Sequence, residues 1–112
     1  LTTTEWKVED SKLLGADDAV LVSEMDVYEG KLDLILCTIP TRHDLEPYLK
    51  LLKTGGCIYI LGALEPLEVH GGTLSWNNLA VKSSQVGGVE ETQEMIDFCV
   101  RNNILPDVQV ID

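Results

Sequence analysis

The sequence predicts an α/β protein organised around a parallel sheet. Two apolar runs of strand length, Leu32-Asp33-Leu34-Ile35-Leu36-Cys37 and Cys57-Ile58-Tyr59-Ile60-Leu61, flank a stretch whose leucines recur at near-helical spacing. Such strand, helix, strand alternation has connections too long for hairpins and suits βαβ units with right-handed crossovers. The near absence of polar residues within the runs predicts strands buried on both faces, as in parallel sheets.

Taken in order, Lys7 to Leu14 reads as a short helix, with Thr4 or Thr3 as its N-cap and Gly15 placed to end it in a left-handed cap. Ala19-Val20-Leu21-Val22 reads as a short strand, and Ser23 to Lys31 as a polar, acidic linker to the run that starts at Leu32. Pro40 closes that run. Leu45, Leu49, Leu51 and Leu52 then predict a helix ended by Lys53-Thr54-Gly55-Gly56. Gly62 halts the second run, and Pro66 with Gly71-Gly72 predicts a loop from Leu64 to Asn78 holding at most a short helical piece. Leu79 to Val86 is expected as an edge strand, ended by Gly87-Gly88. From Glu91 the chain is expected to be helical, with Thr92, Met95, Ile96 and Cys99 as a buried stripe, Glu90, Glu91 and Glu94 at the positive end and Arg101 at the other. Val108-Gln109-Val110-Ile111 alternates like a short strand.

Composition narrows the classes of function. A chain of 112 residues, 45% hydrophobic and 24% charged, has the makeup of one ordinary globular domain. No run approaches the roughly 20 apolar residues that span a bilayer, so no membrane partner is expected. The first residues have neither the basic region nor the apolar run of a signal peptide, and the chain does not start with Met, which points to excision from a longer protein. A formal net charge of -11, with eight basic residues that never cluster, argues against nucleic acid as a partner. The three cysteines, Cys37, Cys57 and Cys99, stand apart among apolar neighbours, which predicts reduced, buried thiols in a cytoplasmic protein. No C-x-x-C pair offers a structural zinc site.

Three stretches carry a family likeness when read together. They are Thr2-Thr3-Thr4-Glu5-Trp6-Lys7 followed by Leu14-Gly15-Ala16-Asp17; Leu45-Glu46-Pro47-Tyr48-Leu49 with Lys53-Thr54-Gly55-Gly56; and Gly87-Gly88 with Glu91-Thr92-Gln93-Glu94-Met95. Their order and spacing resemble the cofactor domain of zinc-type, medium-chain alcohol dehydrogenases of the cinnamyl alcohol dehydrogenase kind, along nearly the whole chain. The resemblance implies an α/β fold that is a partial Rossmann domain over residues 1–112, a doubly wound parallel sheet lacking its first strand and helix. It also implies an NADP-dependent enzyme that interconverts a primary alcohol and its aldehyde by hydride transfer.

In that family the second strand ends in hydroxyl residues followed by a Lys, which hold the 2′-phosphate of NADP; Thr2, Thr3, Thr4 and Lys7 match the pattern. The chemistry agrees, because hydroxyl donors and an ammonium attract a phosphate that a carboxylate would repel. Taken alone, the Thr run reads first as a helix cap and strand end; the surrounding family pattern reverses that preference. Glu5 brings a negative charge close to the same place. Dinucleotides lie outside the carboxyl ends of parallel strands, so the resemblance also implies contacts from Thr38 and Ile39, from Gly62 and Ala63, and from Ser84, Gln85 and Val86 along the last strand.

Other candidates favour plainer roles. His43 and His70 stand in loops without a nucleophile or metal partner and read as surface histidines. Asp17 and Asp18 read as turn residues, and Trp6 and Trp76 as cover for the core. No G-x-G-x-x-G turn is present, and neither the Cys, His and Glu or Cys ligands of the family's catalytic zinc nor its structural zinc lobe can be placed. These 112 residues alone are therefore expected to lack catalytic activity. The alternative is a non-catalytic remnant that keeps only an assembly role, with Val81 to Val86 pairing edge to edge with a twin across a homodimer axis.

Overall fold

The computed structural model describes residues 1–62, 65–106, 108, 110 and 111. Its sheet has three parallel strands, β1 (Leu32–Cys37), β2 (Leu52–Ile60) and β3 (Ala80–Ser83), hydrogen-bonded in that order. Leu34, Ile35, Leu36 and Cys37 lie opposite Cys57, Ile58, Tyr59 and Ile60, and Ile58 in turn faces Val81. Because side chains alternate across a strand, this register sends Ile35, Cys37, Ile58 and Ile60 to one face and Leu34, Leu36, Cys57 and Tyr59 to the other.

Only the first face is covered. Cys37, Leu45, Leu49, Leu52, Ile58 and Ile60 form the core, with Ile35, Tyr48, Leu67 and Leu74 packed against it. Leu34 and Leu36 remain 52% and 61% exposed, so the expectation of strands buried on both faces holds for one face alone. Of the cysteines only Cys37 is buried; Cys57 and Cys99 are half-buried, against expectation.

The Gly55-Gly56 pair has a role the sequence did not reveal. The expected helix through Leu52 is cut to α2 (Glu46–Leu49), with Pro47 in its first turn, and Leu52 already opens β2. The same leucines that looked helical instead turn the chain directly into the strand: Leu45, Leu49 and Leu51 are all at most 1% exposed. Register then breaks, for Leu32 faces Leu52 while Leu34 faces Cys57. Gly55 takes the left-handed backbone (φ 83°), and a Cβ on Gly56 would stand 2.9 Å from the Lys53 carbonyl oxygen. A glycine pair is what permits so abrupt a bulge. Lys53 reaches over it, its Nζ 2.8 and 2.9 Å from the Asp33 carboxylate oxygens.

The N-terminal part forms its own small unit. α1 (Glu5–Leu13) begins two residues earlier than the sequence implied and ends as expected, with Gly15 at φ 102°. Gly15 N–H bonds the Lys12 carbonyl and Ala16 N–H bonds the Ser11 carbonyl, the paired bonds of a Schellman cap. The strand expected at Ala19 to Val22 is reduced to one parallel bridge between Thr2 and Leu21, and a 3-10 helix, Val22–Tyr28, replaces much of the expected linker. Asp18 behaves as a turn residue: it accepts from Ala19 N–H and the Tyr28 hydroxyl and pairs with Lys12.

The remaining helices are α3 (Gly71–Asn77), the short helical piece that the expected loop allowed, which starts at the Gly pair itself, and α4 (Val89–Arg101). Glu91 caps α4 by accepting the Gly88 N–H at 2.8 Å, and Thr92 bonds the Gly88 carbonyl. No residue of α4 is buried, and Met95, Ile96 and Phe98 are 54%, 45% and 53% exposed, so the expected buried stripe is uncovered. Trp6 and Trp76, at 62% and 87% exposed, cover no core either. The strand expected over residues 108–111 includes Gln109, outside the described residues. Total accessible surface is 8859 Å², where a compact protein of 12.4 kDa exposes roughly 6,100 Å².

The uneven burial gives a direct test. Ile58→Ala and Leu49→Ala should each lower unfolding free energy by about 2–5 kcal/mol, whereas Leu36→Ala should cost under about 1 kcal/mol. Urea unfolding with unchanged slope would measure both, and equal losses at the two kinds of position would contradict a one-sided core.

Candidate functional site

Parallel pairing places the carboxyl ends of β1, β2 and β3 along one edge of the sheet, where the chain must leave each strand. The ladder runs one residue past β2, through a 2.8 Å bond from Leu61 N–H to the Cys37 carbonyl. Gly62 follows directly and lies against the chain that leaves β1. A Cβ built on it would stand 2.5 Å from the Thr38 carbonyl oxygen and 2.9 Å from that of Ile39. Thr38, Ile39 and Gly62 are thus brought together by backbone contact that only glycine allows. Ala63 lies outside the described residues.

β3 ends at Ser83, four residues after it begins, so Ser84, Gln85 and Val86 follow the strand instead of extending it. All three are exposed, Val86 at 95%.

Thr2, Thr3, Thr4 and Lys7 sit apart from this edge in hydrogen-bonding terms, since the Thr2 to Leu21 bridge does not join the three-stranded sheet. Thr4 stands at the N-cap of α1 without a side-chain cap bond, so its hydroxyl is not used by the helix. Thr2 Oγ1 accepts the Thr4 N–H at 3.2 Å and keeps its own proton to donate. Thr3 and Lys7 are exposed, and the Lys7 ammonium lies 5.4 Å from the Trp6 ring centre.

The loop beyond β1 is held by carboxylates. Arg42 donates through its backbone N–H to Glu65 and through its guanidinium to Glu68. The one arginine near the strand ends is therefore already neutralised. Glu46 accepts the His70 N–H at 2.8 Å and the Thr73 hydroxyl at 2.7 Å, tying α2 to the start of α3. These bonds, the Thr73 hydroxyl foremost, hold its carboxyl below the usual range. Asp44, Glu46, Glu68 and His70 also line an open cleft, which is too acidic for an anionic ligand.

His43 departs most from its sequence reading. Far from an isolated surface residue, it is half-buried, with Nε2 3.3 Å from Cys37 Sγ and Nδ1 2.8 Å from the Thr41 carbonyl oxygen. Tyr48 meets its ring edge to face at 5.8 Å. Nothing in the sequence signals this contact, because the path of the loop around Pro40 decides it. His70 does remain exposed, at the N-cap of α3. Among the described residues no group of three His, Cys, Asp or Glu side chains is arranged to hold a metal ion.

The fold and its strand-end edge define the class: a mixed α/β chain of the kind found in the Rossmann-like NAD(P)-binding domains of alcohol dehydrogenases. Over its whole length the chain is a relative of the zinc-type alcohol dehydrogenases of the cinnamyl alcohol dehydrogenase kind. It is 42% identical to a zinc-type alcohol dehydrogenase-like protein of Acanthamoeba polyphaga mimivirus, over 99% of this chain and 27% of that protein. Among solved structures, a cinnamyl alcohol dehydrogenase of Sorghum bicolor superposes with a TM-score of 0.90 at 27% identity, over 97% of this chain and 32% of that one. The cinnamyl alcohol dehydrogenase of Helicobacter pylori, complexed with NADP(H), gives 0.82 at 32% identity, over 98% and 32%. The chain therefore spans about a third of the length of the relatives it matches. No family profile matches it.

Two outcomes follow from these contacts. Gly62→Ala should lower the melting temperature and shift the backbone amide resonances of Thr38 and Ile39, because the new methyl meets their carbonyls; an unperturbed Thr38 would refute the contact. The depressed carboxyl of Glu46 contributes stability that is present above the ordinary carboxylate range and lost as pH falls through its lowered value. Glu46→Gln should thus destabilise the chain near pH 7 by less than about 1 kcal/mol and should flatten the acid limb of a plot of Tm against pH. Parallel acid limbs for the two proteins would show that the carboxylate has no such part.

Proposed function

We propose that this chain is the cofactor-recognition part of an NADP-dependent zinc-type alcohol dehydrogenase that interconverts a primary alcohol and its aldehyde. The observation that carries the reading is the donor set at Thr2, Thr3, Thr4 and Lys7, which suits a phosphate group. The Thr4 hydroxyl is not spent on a helix cap, Thr2 still has a proton to donate, and Lys7 makes no ion pair with Glu5. Two or three charge-assisted hydrogen bonds of about 1.5 kcal/mol each would suffice to favour a 2′-phosphate over a 2′-hydroxyl by a hundredfold or more.

In this reading residues 1–112 are a partial NADP-binding Rossmann domain, and the catalytic zinc domain and Gly-rich turn of the family belong to other residues. The hydroxyls of Thr2, Thr3 and Thr4 donate to the 2′-phosphate, and the Lys7 ammonium neutralises part of its charge. Thr38, Ile39, Gly62, Ser84, Gln85 and Val86 line the strand ends, where backbone groups orient the ribose and nicotinamide. Gly62 supports this role by letting the chain that leaves β2 lie directly against Thr38 and Ile39, which gathers the ends of β1 and β2. The nicotinamide, when bound, supplies the acceptor or donor of hydride. The described residues offer no group of three His, Cys, Asp or Glu side chains that would hold zinc.

A second reading, an assembly module without catalysis, draws on the position of β3. That strand pairs on one side only among the described residues, so its outer edge is open to a twin strand. A homodimer through this edge is compatible with the first reading as well.

Titration with NADPH and NADH, followed by nicotinamide fluorescence, separates the proposals. NADPH should bind at least tenfold more tightly than NADH, and Lys7→Ala should reduce that preference by about tenfold while leaving NADH unchanged. Equal affinities would overturn the roles of Thr2, Thr3, Thr4 and Lys7. A dimer on size-exclusion chromatography with no dinucleotide binding would favour the assembly module.

A further inference from the structure

We propose that Cys37 and His43 form a base-activated thiol at the carboxyl end of β1, a covalent modification site for small, soft electrophiles. This does not depend on the dinucleotide reading, for it stands on the local geometry alone.

The direction of each proton is fixed by its neighbours. The Thr41 carbonyl oxygen can only accept, so at 2.8 Å it requires the hydrogen of His43 to sit on Nδ1. The lone pair is then left on Nε2, which points at Cys37 Sγ from 3.3 Å. The thiol therefore donates to a base and not to an inert acceptor. A nucleophile within reach of a base, with that base oriented by a third group, is the arrangement by which weak nucleophiles are activated. Tyr48 completes the setting by meeting the imidazole edge to face at 89°, which restrains the ring. The phenol itself does not compete for the proton, because burial first, and the nearby Cys37 second, push its hydroxyl to titrate above the usual range.

The other two thiols show that this is particular to Cys37. Cys57 Sγ faces the Ile58 carbonyl oxygen at 3.8 Å and Cys99 Sγ faces the Met95 sulfur at 3.8 Å, so neither meets a base. Both are more exposed than Cys37, which is 5% exposed. Access alone would make Cys37 the least reactive of the three, and any advantage must come from His43. The tight surroundings restrict the reagent to compact electrophiles.

The step is balanced without a further reactant. As Sγ forms its bond to the electrophilic carbon, the S–H proton passes to His43 Nε2. With iodoacetamide the carbon to iodine bond breaks and iodide departs with its electron pair, and the imidazolium then returns the proton to water. The product is a thioether at Cys37, directly before Thr38 and Ile39.

Timed alkylation of the 112-residue chain with iodoacetamide, resolved by peptide mass spectrometry, gives three rates in one experiment. His43→Asn should slow Cys37 by at least about tenfold, while Cys57 and Cys99 stay within about twofold of their original rates. His43→Gln, which fills similar space and offers a polar contact but no base, should be as slow as His43→Asn. An unfolded variant would reveal itself by faster alkylation of all three thiols, and the ratio of Cys37 to Cys57 in the other variant then decides. The proposal is overturned if Cys37 is not alkylated in the parent chain, if its rate is unchanged in His43→Asn, or if His43→Gln restores it.

Discussion

Ile58 is the point on which the rest of the structure depends. Fully buried in β2, the central strand, it pairs with Ile35 on one side and Val81 on the other and belongs to the same core as Leu45 and Leu49. That single register decides which side chains of all three strands point to the covered face, because a one-residue slip would exchange every one of them. It also fixes where each strand stops, and so where Thr38, Gly62 and Ser84 emerge. The candidate site is a consequence of core packing before it is a matter of polar chemistry.

Legibility in the sequence followed from how local each cause was. β1 could be read to the residue, since its nearly continuous apolar run is of strand length and is closed by Pro40. The Schellman cap at Gly15 was equally local. The leucines between Leu45 and Leu52 misled because a helical period and a tight turn into a strand bury the same residues. Only the three-dimensional bulge, with Gly55 in a left-handed conformation, distinguishes them. The candidate site divides the same way. Strand-end positions could be inferred from strand order, while the meeting of Cys37 with His43 depends on a loop path that no periodicity encodes.

Electrostatics acts on the site at two ranges. A net charge of -11 repels an anionic ligand at a distance, but salt screens that field beyond roughly 10 Å. Close in, the balance depends on individual donors. Arg42 is taken up by Glu65 and Glu68, and Lys12 and Lys53 by Asp18 and Asp33. Lys7, over Trp6, is the cation beside a run of hydroxyl groups. In an acidic chain in which Lys12, Arg42 and Lys53 are each held by a carboxylate, such a local excess of donors is the more informative feature.

The uncovered surface bears on function as well as on stability. The chain exposes roughly 2,700 Å² more than a compact protein of its mass, an amount comparable with a large protein interface. Leu34 and Leu36 on the open face and Met95, Ile96 and Phe98 on α4 account for part of it, and all but Phe98 are residues whose sequence pattern called for burial. The expected burial is thus met on one face of the sheet and is not met on the other face or on α4 among the described residues. Any ligand that binds the native form of such a chain adds RT ln(1 + [L]/Kd) to its stability. In the proposed reading a ligand held across Thr38 and Gly62 would bridge the ends of β1 and β2, the two strands that Ile58 joins from within, and would so couple occupancy of that edge to the stability of the one-sided core.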